Sequence, residues 1–330
     1  MFHVVTADVF DRPLLDELCG LTTVARTIAK SRDGLRFLQE LLPTRRAMLY
    51  FTQPSTRTFL SMNNACHILG VRTSEIRNPD VSSEIKGETF EDSIRTFSSY
   101  VDLIIMRTPQ AGYAARAAAL MDAIPRPVPV VNAGSGKDQH PTQALLDIYT
   151  LERSFENDGG VAGKTIGMMG DLRRGRTVRS LCRLLRHYSG VRLVFISPPA
   201  FEMGPDIKAY LDEHGTEYRE ADKLSDCLPE LDAIYVTRMQ SEHDRENESS
   251  RVDLSPYSVG VDELRRMKPS AVVMHPLPRG PELRPEIDGD PRSMHWRQER
   301  NGLWVRVALI ATVLGVADEI RAAAPRYAEL

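Results

Sequence analysis

The sequence lacks the features of a disulfide-stabilised, membrane-spanning or nucleic-acid-binding protein. Only four of its 330 residues are cysteines, and no two of them form a CxxC pair. This argues against a disulfide scaffold or zinc cage and favours free thiols in a reducing cytoplasm. No apolar run approaches the roughly 18 residues that a membrane span requires. The 42 basic and 45 acidic residues leave a net charge of −3, without the basic excess typical of nucleic-acid binding.

Signals for export and for metal binding are missing as well. Residues 1–12 contain neither the basic nor the apolar segment of a secretory signal, so we expect a cytoplasmic protein. The eight histidines show no HExxH or similar spacing, so we expect no metal site. Glycine and proline, at 21 residues each, are too few for a collagen-like or low-complexity chain.

Short apolar runs alternate with amphipathic segments along the chain. This rhythm predicts an α/β fold of parallel sheets with helices on both faces. The predicted strands are 47–51, 101–106, 128–132, 165–169, 192–196, 232–236 and 271–274. The predicted helices are 55–68, 140–155, 177–187, 205–214, 261–267 and 303–316.

The length favours two domains at roughly 150 residues each. The polar, glycine-rich residues 157–160 interrupt the rhythm and mark the best candidate boundary. We therefore predict one domain at 1–155 and a second at 156–302. The final helical segment, about 303–330, is expected to pack back onto the first domain.

Polar and cationic residues follow several predicted strands, where open α/β sheets bind their ligands. After 47–51 come Ser55, Thr56, Arg57 and Thr58. Ser55 can cap a helix whose first-turn N–H groups form an anion site. Taken alone, these four residues fit a capped helix with a surface arginine slightly better than a phosphate site.

Further cations stand at corresponding places. Arg107 follows 101–106, His140 begins a helix at a His-Pro pair, Arg176 and Thr177 follow 165–169, and Arg238 follows 232–236. Such a set predicts a cleft for a multiply anionic ligand set. Because no carboxylate pair or covalent nucleophile stands out, catalysis would act by positioning and charge stabilisation. The loop at 170–177 lacks GxGxxG spacing, which disfavours a dinucleotide.

Together these segments resemble the catalytic chain of the aspartate carbamoyltransferase family. The resemblance rests, in order, on FTQPSTRT, KGETFEDSIRTFSSY, MRTP, NAGSGKDQHPTQALLD, GDLRRGRTVRSL, TRMQ and HPLPR. It implies two doubly wound parallel-sheet domains, transcarbamoylase-like, with the active site in the cleft between them. The implied reaction carbamoylates L-aspartate with carbamoyl phosphate in de novo pyrimidine synthesis, without a metal or organic cofactor.

The resemblance also assigns residues. Carbamoyl phosphate would be bound by Ser55, Thr56, Arg57, Thr58, Arg107, His140, Gln143 and the backbone of Pro276 and Leu277. Aspartate would be bound by Lys86, Arg176, Thr177, Arg238 and Gln240. The catalytic residues would be Arg57, Thr58, Arg107 and His140. His140 and Thr58 would polarise the carbonyl, and Arg107 would join them in stabilising its oxyanion.

Partners follow from the same resemblance. It implies a homotrimer with shared active sites, in which Ser82 and Lys86 act on the adjacent chain's site. Sequence alone would favour an ordinary exposed lysine at position 86. A regulatory chain or a dihydroorotase partner is possible in the family, and nothing in the sequence selects between them.

Two departures from the family pattern keep alternatives open. Gln53 stands where the family usually has an acid, and His243 where it has an arginine, with Arg245 nearby as a substitute. One alternative is a transcarbamoylase for another amine, such as ornithine or an acylated ornithine, which Arg238 and Gln240 disfavour. Another is an inactive scaffold for dihydroorotase, which the intact arginine set disfavours.

Overall fold

The computed structural model describes residues 2–78, 87–136, 139–239 and 252–327. Five residues discussed above lie outside these ranges, namely Ser82, Lys86, Gln240, His243 and Arg245. The helices are α1 (Arg12–Ile28), α2 (Arg32–Gln39), α3 (Thr56–Ile68), α4 (Phe90–Ser98), α5 (Tyr113–Asp122), α6 (Pro141–Phe155), α7 (Arg176–Leu185), α8 (Pro205–Glu213), α9 (Val261–Arg266), α10 (His295–Val313) and α11 (Ala317–Tyr327). The strands are β1 (Arg46–Phe51), β2 (Arg72–Ile76), β3 (Leu103–Thr108), β4 (Val130–Ser135), β5 (Thr165–Met169), β6 (Arg192–Ile196), β7 (Glu217–Ala221), β8 (Ala233–Val236) and β9 (Val272–Met274).

The chain divides into two compact units. Unit 1 comprises Met1–Leu145 and Asn301–Leu330, and unit 2 comprises Leu146–Arg300. Both divisions fall within a helix, α6 and α10 respectively. None of the described helices is long and apolar enough to cross a membrane.

Unit 1 is built on a four-stranded sheet in the order β2-β1-β3-β4, with every neighbouring pair parallel. All six residues of β3 are buried, as are all of β1 except Arg46. Strands buried on both faces are typical of parallel sheets covered by helices. The edge strand β2 is instead mostly exposed, and α1 packs against α11 within the same unit.

Unit 2 is built on a five-stranded parallel sheet in the order β7-β6-β5-β8-β9. The central strand β5 is buried at every position, whereas the edge strand β7 is mostly exposed. One face of this sheet packs Val194, Ile234 and Val273 against Leu264 of α9. Two all-parallel α/β sheets confirm the predicted fold class.

Each sheet has a point at which the strand order reverses. In unit 1 the chain adds β2 on one side of β1 and β3 on the other, so the order reverses between β1 and β3. In unit 2 the same reversal lies between β5 and β8. Crevices beyond the carboxyl ends of strands at such points are where open α/β sheets bind ligands.

All seven predicted strands are present, but β2 and β7 were missed. Their sequences, RTSEI and EYREA, contain polar residues at most positions because both strands are exposed sheet edges. The last predicted helix, 303–316, was also wrong at its start, since α10 begins at His295. Its first half buries polar side chains, including His295, Gln298 and Asn301, which obscure the apolar pattern. Arg107 lies inside β3 rather than after it, because that strand extends to Thr108.

Candidate active site

In unit 1, two predicted anion-binding segments lie at the reversal between β1 and β3. Residues 55–58 follow β1, and Arg107 is the penultimate residue of β3. Phe51, at the end of β1, pairs in register with Arg107. Gln53, in the loop that follows, donates its backbone N–H to the Arg107 carbonyl at 3.2 Å. The backbone therefore holds the loop before α3 against the strand that carries Arg107.

Helix α3 begins with a polar first turn. Ser55 is its N-cap residue with an extended backbone, φ −163° and ψ 106°, and its side chain makes no capping hydrogen bond. Phe59 anchors this turn to β1, since its ring packs edge-on against that of Phe51 with 5.4 Å between centroids. Thr58 is buried, whereas Arg57 is partly exposed and Thr56 exposed. The geometry leaves first-turn N–H groups of α3 for an acceptor other than the Ser55 hydroxyl.

Arg107 is buried at 9% exposure and is held by backbone. Its Nη1 donates to the Ala133 carbonyl at 3.1 Å, which ties the guanidinium to β4. The next residue, Gly134, has a φ of +115°. A Cβ atom there would lie 2.7 Å from the same Nη1 and 3.3 Å from Cδ2 of His140. Because Gly134 has no side chain, the side chains of Arg107 and His140 can both lie close to its backbone in β4.

His140 lies directly before α6 and is buried at 3% exposure. Its carbonyl accepts hydrogen bonds from the N–H groups of Gln143 and Ala144, so its backbone belongs to the first turn of the helix. Its Nδ1 lies 3.4 Å from the Thr142 hydroxyl. The buried Gln143 is in the same turn. The sequence interpretation of a sharp helix start at the His-Pro pair is confirmed.

In unit 2, the loop from β5 to α7 is held by contacts with the end of β8 and by a hydrogen bond within the loop. Gly170 has a φ of +117°, and a Cβ there would lie 2.0 Å from the Thr237 carbonyl. Thr237 in turn donates its N–H to the Met169 carbonyl at 2.8 Å, so the ends of β5 and β8 are in direct contact. The buried Asp171 accepts the Arg174 N–H at 3.0 Å through its carboxylate. These contacts fix the loop that leads to Arg176.

Arg176 is the first residue of α7 and is partly buried. Burial lowers the pKa of its guanidinium to about 10, because removal from water disfavours the charged form. Arg176 therefore remains a cation near neutral pH in a poorly hydrated setting. A negatively charged ligand would restore the charge stabilisation that burial removes.

Arg238 lies two residues beyond β8 and lines a cavity of about 390 Å³ in unit 2. Its Nη1 donates to the Met239 carbonyl at 3.1 Å. The described lining also includes Gly170, Thr237, Tyr257, Ser258, Glu282 and Arg284. The cavity adjoins the reversal between β5 and β8, because Gly170 and Thr237 come from the ends of those two strands.

Pro276 and Leu277 lie in the loop that follows β9, and both are partly exposed. Leu277 has a φ of +55° and forms a cis peptide bond with Pro278. His275, directly before them, is 1% exposed. The loop thus places two partly exposed residues next to a buried histidine.

Two family models match the chain and together span most of it. The first is described as the aspartate/ornithine carbamoyltransferase carbamoyl-P binding domain and matches residues 3–153. The second is described as the Asp/Orn binding domain of the same enzymes and matches residues 162–313. The unmatched stretch between the two contains residues 157–160, where the sequence rhythm breaks.

Individual relatives narrow the family to its aspartate branch. Aspartate carbamoyltransferase 1 of Pisum sativum is 42% identical over 94% of this chain and 78% of its own length. The aspartate carbamoyltransferase catalytic subunit of Hyperthermus butylicus is 38% identical over 93% of this chain and 94% of its own. This chain belongs to the aspartate carbamoyltransferase family.

A solved structure of the aspartate carbamoyltransferase family agrees with the fold. Aspartate transcarbamoylase from Trypanosoma cruzi, in complex with carbamoyl phosphate and aspartate, superposes with a TM-score of 0.83 at 31% identity. The match covers 94% of this chain and 96% of that one. The parallel sheets of both units are therefore those of an aspartate carbamoyltransferase.

Sequence reasoning missed several residues that shape this carbamoyltransferase site. Gly134 shapes the surroundings of Arg107 and His140, and Asp171 holds the loop before Arg176. The glycine signal was available in Ala-Gly-Ser-Gly, but only the fold reveals which side chains approach it. Asp171 resembled an ordinary loop acid because its partner, the Arg174 N–H, becomes evident only in three dimensions.

The described residues contain no cluster of three or more His, Cys, Asp or Glu side chains able to hold a metal. Two buried thiols are also poor nucleophile candidates, since desolvation raises the pKa of Cys66 and of Cys182 to about 12. A thiol with such a pKa is almost entirely protonated near neutral pH.

Proposed function

We propose that this chain transfers the carbamoyl group of carbamoyl phosphate to the amino group of L-aspartate. The products are N-carbamoyl-L-aspartate and phosphate, an early step of pyrimidine synthesis. The observation that carries the choice of acceptor is the match to aspartate carbamoyltransferases at 42% and 38% identity, and Arg176 at the start of α7 agrees with it. A desolvated guanidinium at a helix start suits a carboxylate and disfavours a cationic side chain such as that of ornithine.

We assign carbamoyl phosphate to the domain 1–155, completed by the C-terminal segment 303–330. The polar first turn of α3, residues Ser55, Thr56, Arg57 and Thr58, would bind the phosphate through N–H groups, hydroxyls and one guanidinium. Support comes from the uncapped start of α3 and from the family model that matches residues 3–153.

Arg107, His140 and Thr58 would stabilise the charge that develops on the carbamoyl oxygen. The neutral amine nitrogen of aspartate bonds to the carbonyl carbon, and the carbonyl oxygen becomes an oxyanion. The carbonyl then re-forms as the carbon–oxygen bond to phosphate breaks, and the proton lost by the amine leaves with the phosphate. Donors held in place before the reaction lower the barrier without reorganising. The bond from Arg107 to the Ala133 carbonyl supports this role because it holds the guanidinium in place. Gln143 and the backbone of Pro276 and Leu277 would hold the carbamoyl NH2 group.

We assign L-aspartate to the domain 156–302. Arg176 with Thr177, and Arg238 with Gln240, would take its two carboxylates. The cavity lined by Arg238 supports this assignment because it is large enough for a four-carbon diacid. Gln240 lies outside the described residues, so its part rests on the family resemblance alone.

A competition assay tests the proposed reaction. The purified chain receives carbamoyl phosphate with L-aspartate, ornithine or acetylornithine in parallel, and the carbamoylated product is measured. We expect product from aspartate only, and its loss in the variant Arg57→Ala. The exposed arginine variant Arg36→Ala serves as the matched control and should retain activity. Turnover of ornithine without turnover of aspartate would contradict the proposal, and no turnover of any amine would favour the scaffold alternative.

We further propose a homotrimer in which Ser82 and Lys86 complete the site of the adjacent chain. Mixed trimers of Arg57→Ala and Lys86→Ala chains should regain activity, because some sites would then draw both intact residues from different chains. Failure of every mixture to exceed its inactive parents would rule out shared sites. We expect the active fraction to have the native mass of three chains.

We also place the protein in a reducing compartment such as the cytoplasm. All four cysteines are free, and three of them are buried, which suits a thiol-rich environment. Fractionation of source cells tests this placement, and recovery with an oxidising compartment would contradict it. The pea relative is chloroplastic, so organelle fractions belong in the same experiment.

A further inference from the structure

His275 uses both ring nitrogens within unit 2. The Leu277 N–H lies 2.8 Å from its Nδ1, and Oε1 of Glu282 lies 2.9 Å from its Nε2. The ring is buried, and its side chain is only 1% exposed. Glu282 also accepts the Gly280 N–H at 2.6 Å, so the segment from 275 to 282 closes into a hydrogen-bonded loop.

These contacts fix the tautomer of His275. A backbone N–H can only donate, so Nδ1 must accept with an unprotonated lone pair. The ring proton then resides on Nε2, which donates to Glu282. Burial works to raise the pKa of Glu282, but hydrogen bonds from His275 and Gly280 hold it below its usual value. The acceptor of the Nε2 proton is therefore a carboxylate.

The backbone of His275 is fixed from the other side. Its N–H donates to Oε1 of Gln298 at 2.9 Å, and Nε2 of the same amide donates to Oδ1 of Asp147 at 2.6 Å. Oδ2 of Asp147 accepts the Tyr235 hydroxyl at 2.7 Å. All four of these residues are buried at 1% exposure or less. His275 is thus anchored to α6, β8 and α10 within unit 2.

The loop that His275 supports has an unusual backbone. Leu277 is the only non-glycine residue with a positive φ in the described part of the chain, at +55°. L-amino acids with a branched side chain rarely adopt this conformation, and surrounding contacts must impose it. The hydrogen bond from the Leu277 N–H to Nδ1 of His275 holds the loop at this point.

We propose that His275 is a positioning residue that sets the Leu277 conformation, and with it the carbonyl groups of Pro276 and Leu277. The inference rests on the proposed function, which assigns those carbonyls to the carbamoyl NH2 group. A histidine suits this place because one rigid ring offers an acceptor toward Leu277 and a donor toward Glu282. The Nδ1 acceptor fixes the backbone conformation at Leu277, whereas the Nε2 donor only anchors the ring to Glu282.

Two variants separate the two nitrogens. In His275→Asn, the amide oxygen can occupy the place of Nδ1 and accept the Leu277 N–H, while the bond to Glu282 is lost. In His275→Gln, the amide nitrogen can occupy the place of Nε2 and donate to Glu282, while the Leu277 bond is lost. The pair therefore exchanges one hydrogen bond for the other at nearly equal side-chain size.

We expect His275→Gln to lower kcat by roughly 100-fold, as small misplacements near reacting groups do. The kcat of His275→Asn should be at least about tenfold higher than that of His275→Gln. The thermal stability of His275→Asn should fall at least as far as that of His275→Gln. The KM for aspartate should change little in either variant, because Arg176 and Arg238 are intact. The exposed His214 provides matched controls, His214→Asn and His214→Gln, which should both resemble the unmodified protein.

Equal kcat values for the two His275 variants, with both folded, would overturn the inference. Protein selectively labelled with 15N-histidine gives a readout without any substitution, since the two tautomers differ in their nitrogen chemical shifts. A protonated Nδ1 in the unmodified, active protein would also overturn it. An unmodified protein that does not carbamoylate aspartate contradicts the proposed function instead, whatever the tautomer, so the two failures are distinguishable.

Discussion

Two helices of unit 1 begin at a serine and use it differently. Ser31 caps α2, because its hydroxyl accepts the Gly34 N–H at 2.9 Å. Ser55 precedes α3 in the same extended conformation, but its side chain makes no such bond. Asp11 caps α1 as Ser31 caps α2. The start of α3 is therefore left for an acceptor from outside the helix, as a phosphate site requires.

The same contrast recurs between two arginines of unit 2. Arg174 lies 3.8 Å from the buried Asp171 carboxylate and 5.0 Å above the Phe201 ring. For Arg176, two residues later, the main effect is burial, which lowers the pKa of the guanidinium to about 10. One arginine serves the loop, and its neighbour carries a charge that an anionic ligand would stabilise. Residues of one type thus divide between holding the fold and the substrate-binding role that we propose.

The largest expected effect comes from removing the charge of Arg176. In Arg176→Met we expect the KM for aspartate to rise by roughly 100-fold, the scale of one charge-assisted contact. The free energy of unfolding without ligand should rise by on the order of 1 kcal/mol, because a desolvated cation is replaced by an apolar side chain. Steady-state kinetics and denaturant titration measure the two quantities.

Arg174→Met is the matched control for that experiment. It should lose stability, since Asp171 would keep a buried carboxylate without its cation. If both methionine variants lost stability to the same extent, the contrast between the two arginines would be wrong.

The pH dependence of Arg176 has a definite sign. Its folded-state pKa, about 10, lies well below the ordinary value for arginine, so the unfolded chain binds this proton more tightly. Its charge therefore lowers the free energy of unfolding at neutral pH, and this penalty diminishes as the pH rises above about 10. Aspartate affinity should fall over the same rise, because the cation is lost.

Local sequence patterns predict some features of the fold and of the candidate site but not others. The buried strands and the cations after them were predictable, because apolar runs and strand-end motifs are local patterns. The edge strands β2 and β7 were not, since their exposed polar residues resemble loops. No local pattern reveals that Ser55 fails to cap its helix, and the approach of Arg107 to Gly134 is a contact between distant segments. Local pattern therefore predicts candidate site residues, but not the contacts that hold them in place.

Substitutions at two glycines, one beside the candidate site and one away from it, should give effects of intermediate size. Gly134→Ala would place a Cβ 2.7 Å from Nη1 of Arg107. The end of a flexible side chain can move aside, so the fold should survive while the guanidinium shifts. We expect kcat to fall by roughly 10- to 100-fold, measured with saturating substrates.

Gly112→Ala is the control for backbone strain. Gly112 also has a positive φ, +77°, but nothing lies within 4 Å of its Cβ position. It should lose about 1 kcal/mol of stability and keep its kcat. A similar fall in kcat for both alanine variants would mean that strain, and not the displacement of Arg107, explains the loss.

The smallest effects are expected for the two serines. Ser31→Ala removes the acceptor of the Gly34 N–H and should lower the free energy of unfolding by about 1 kcal/mol, with the KM for carbamoyl phosphate unchanged. Ser55→Ala removes no capping bond, so stability should stay within about 0.5 kcal/mol while that KM rises by roughly tenfold. Chemical denaturation and initial rates on the same preparations separate the two outcomes. If Ser55→Ala destabilised the protein as much as Ser31→Ala, the start of α3 would be an ordinary capped helix, and the phosphate site would have to depend on Arg57 and Arg107 without it.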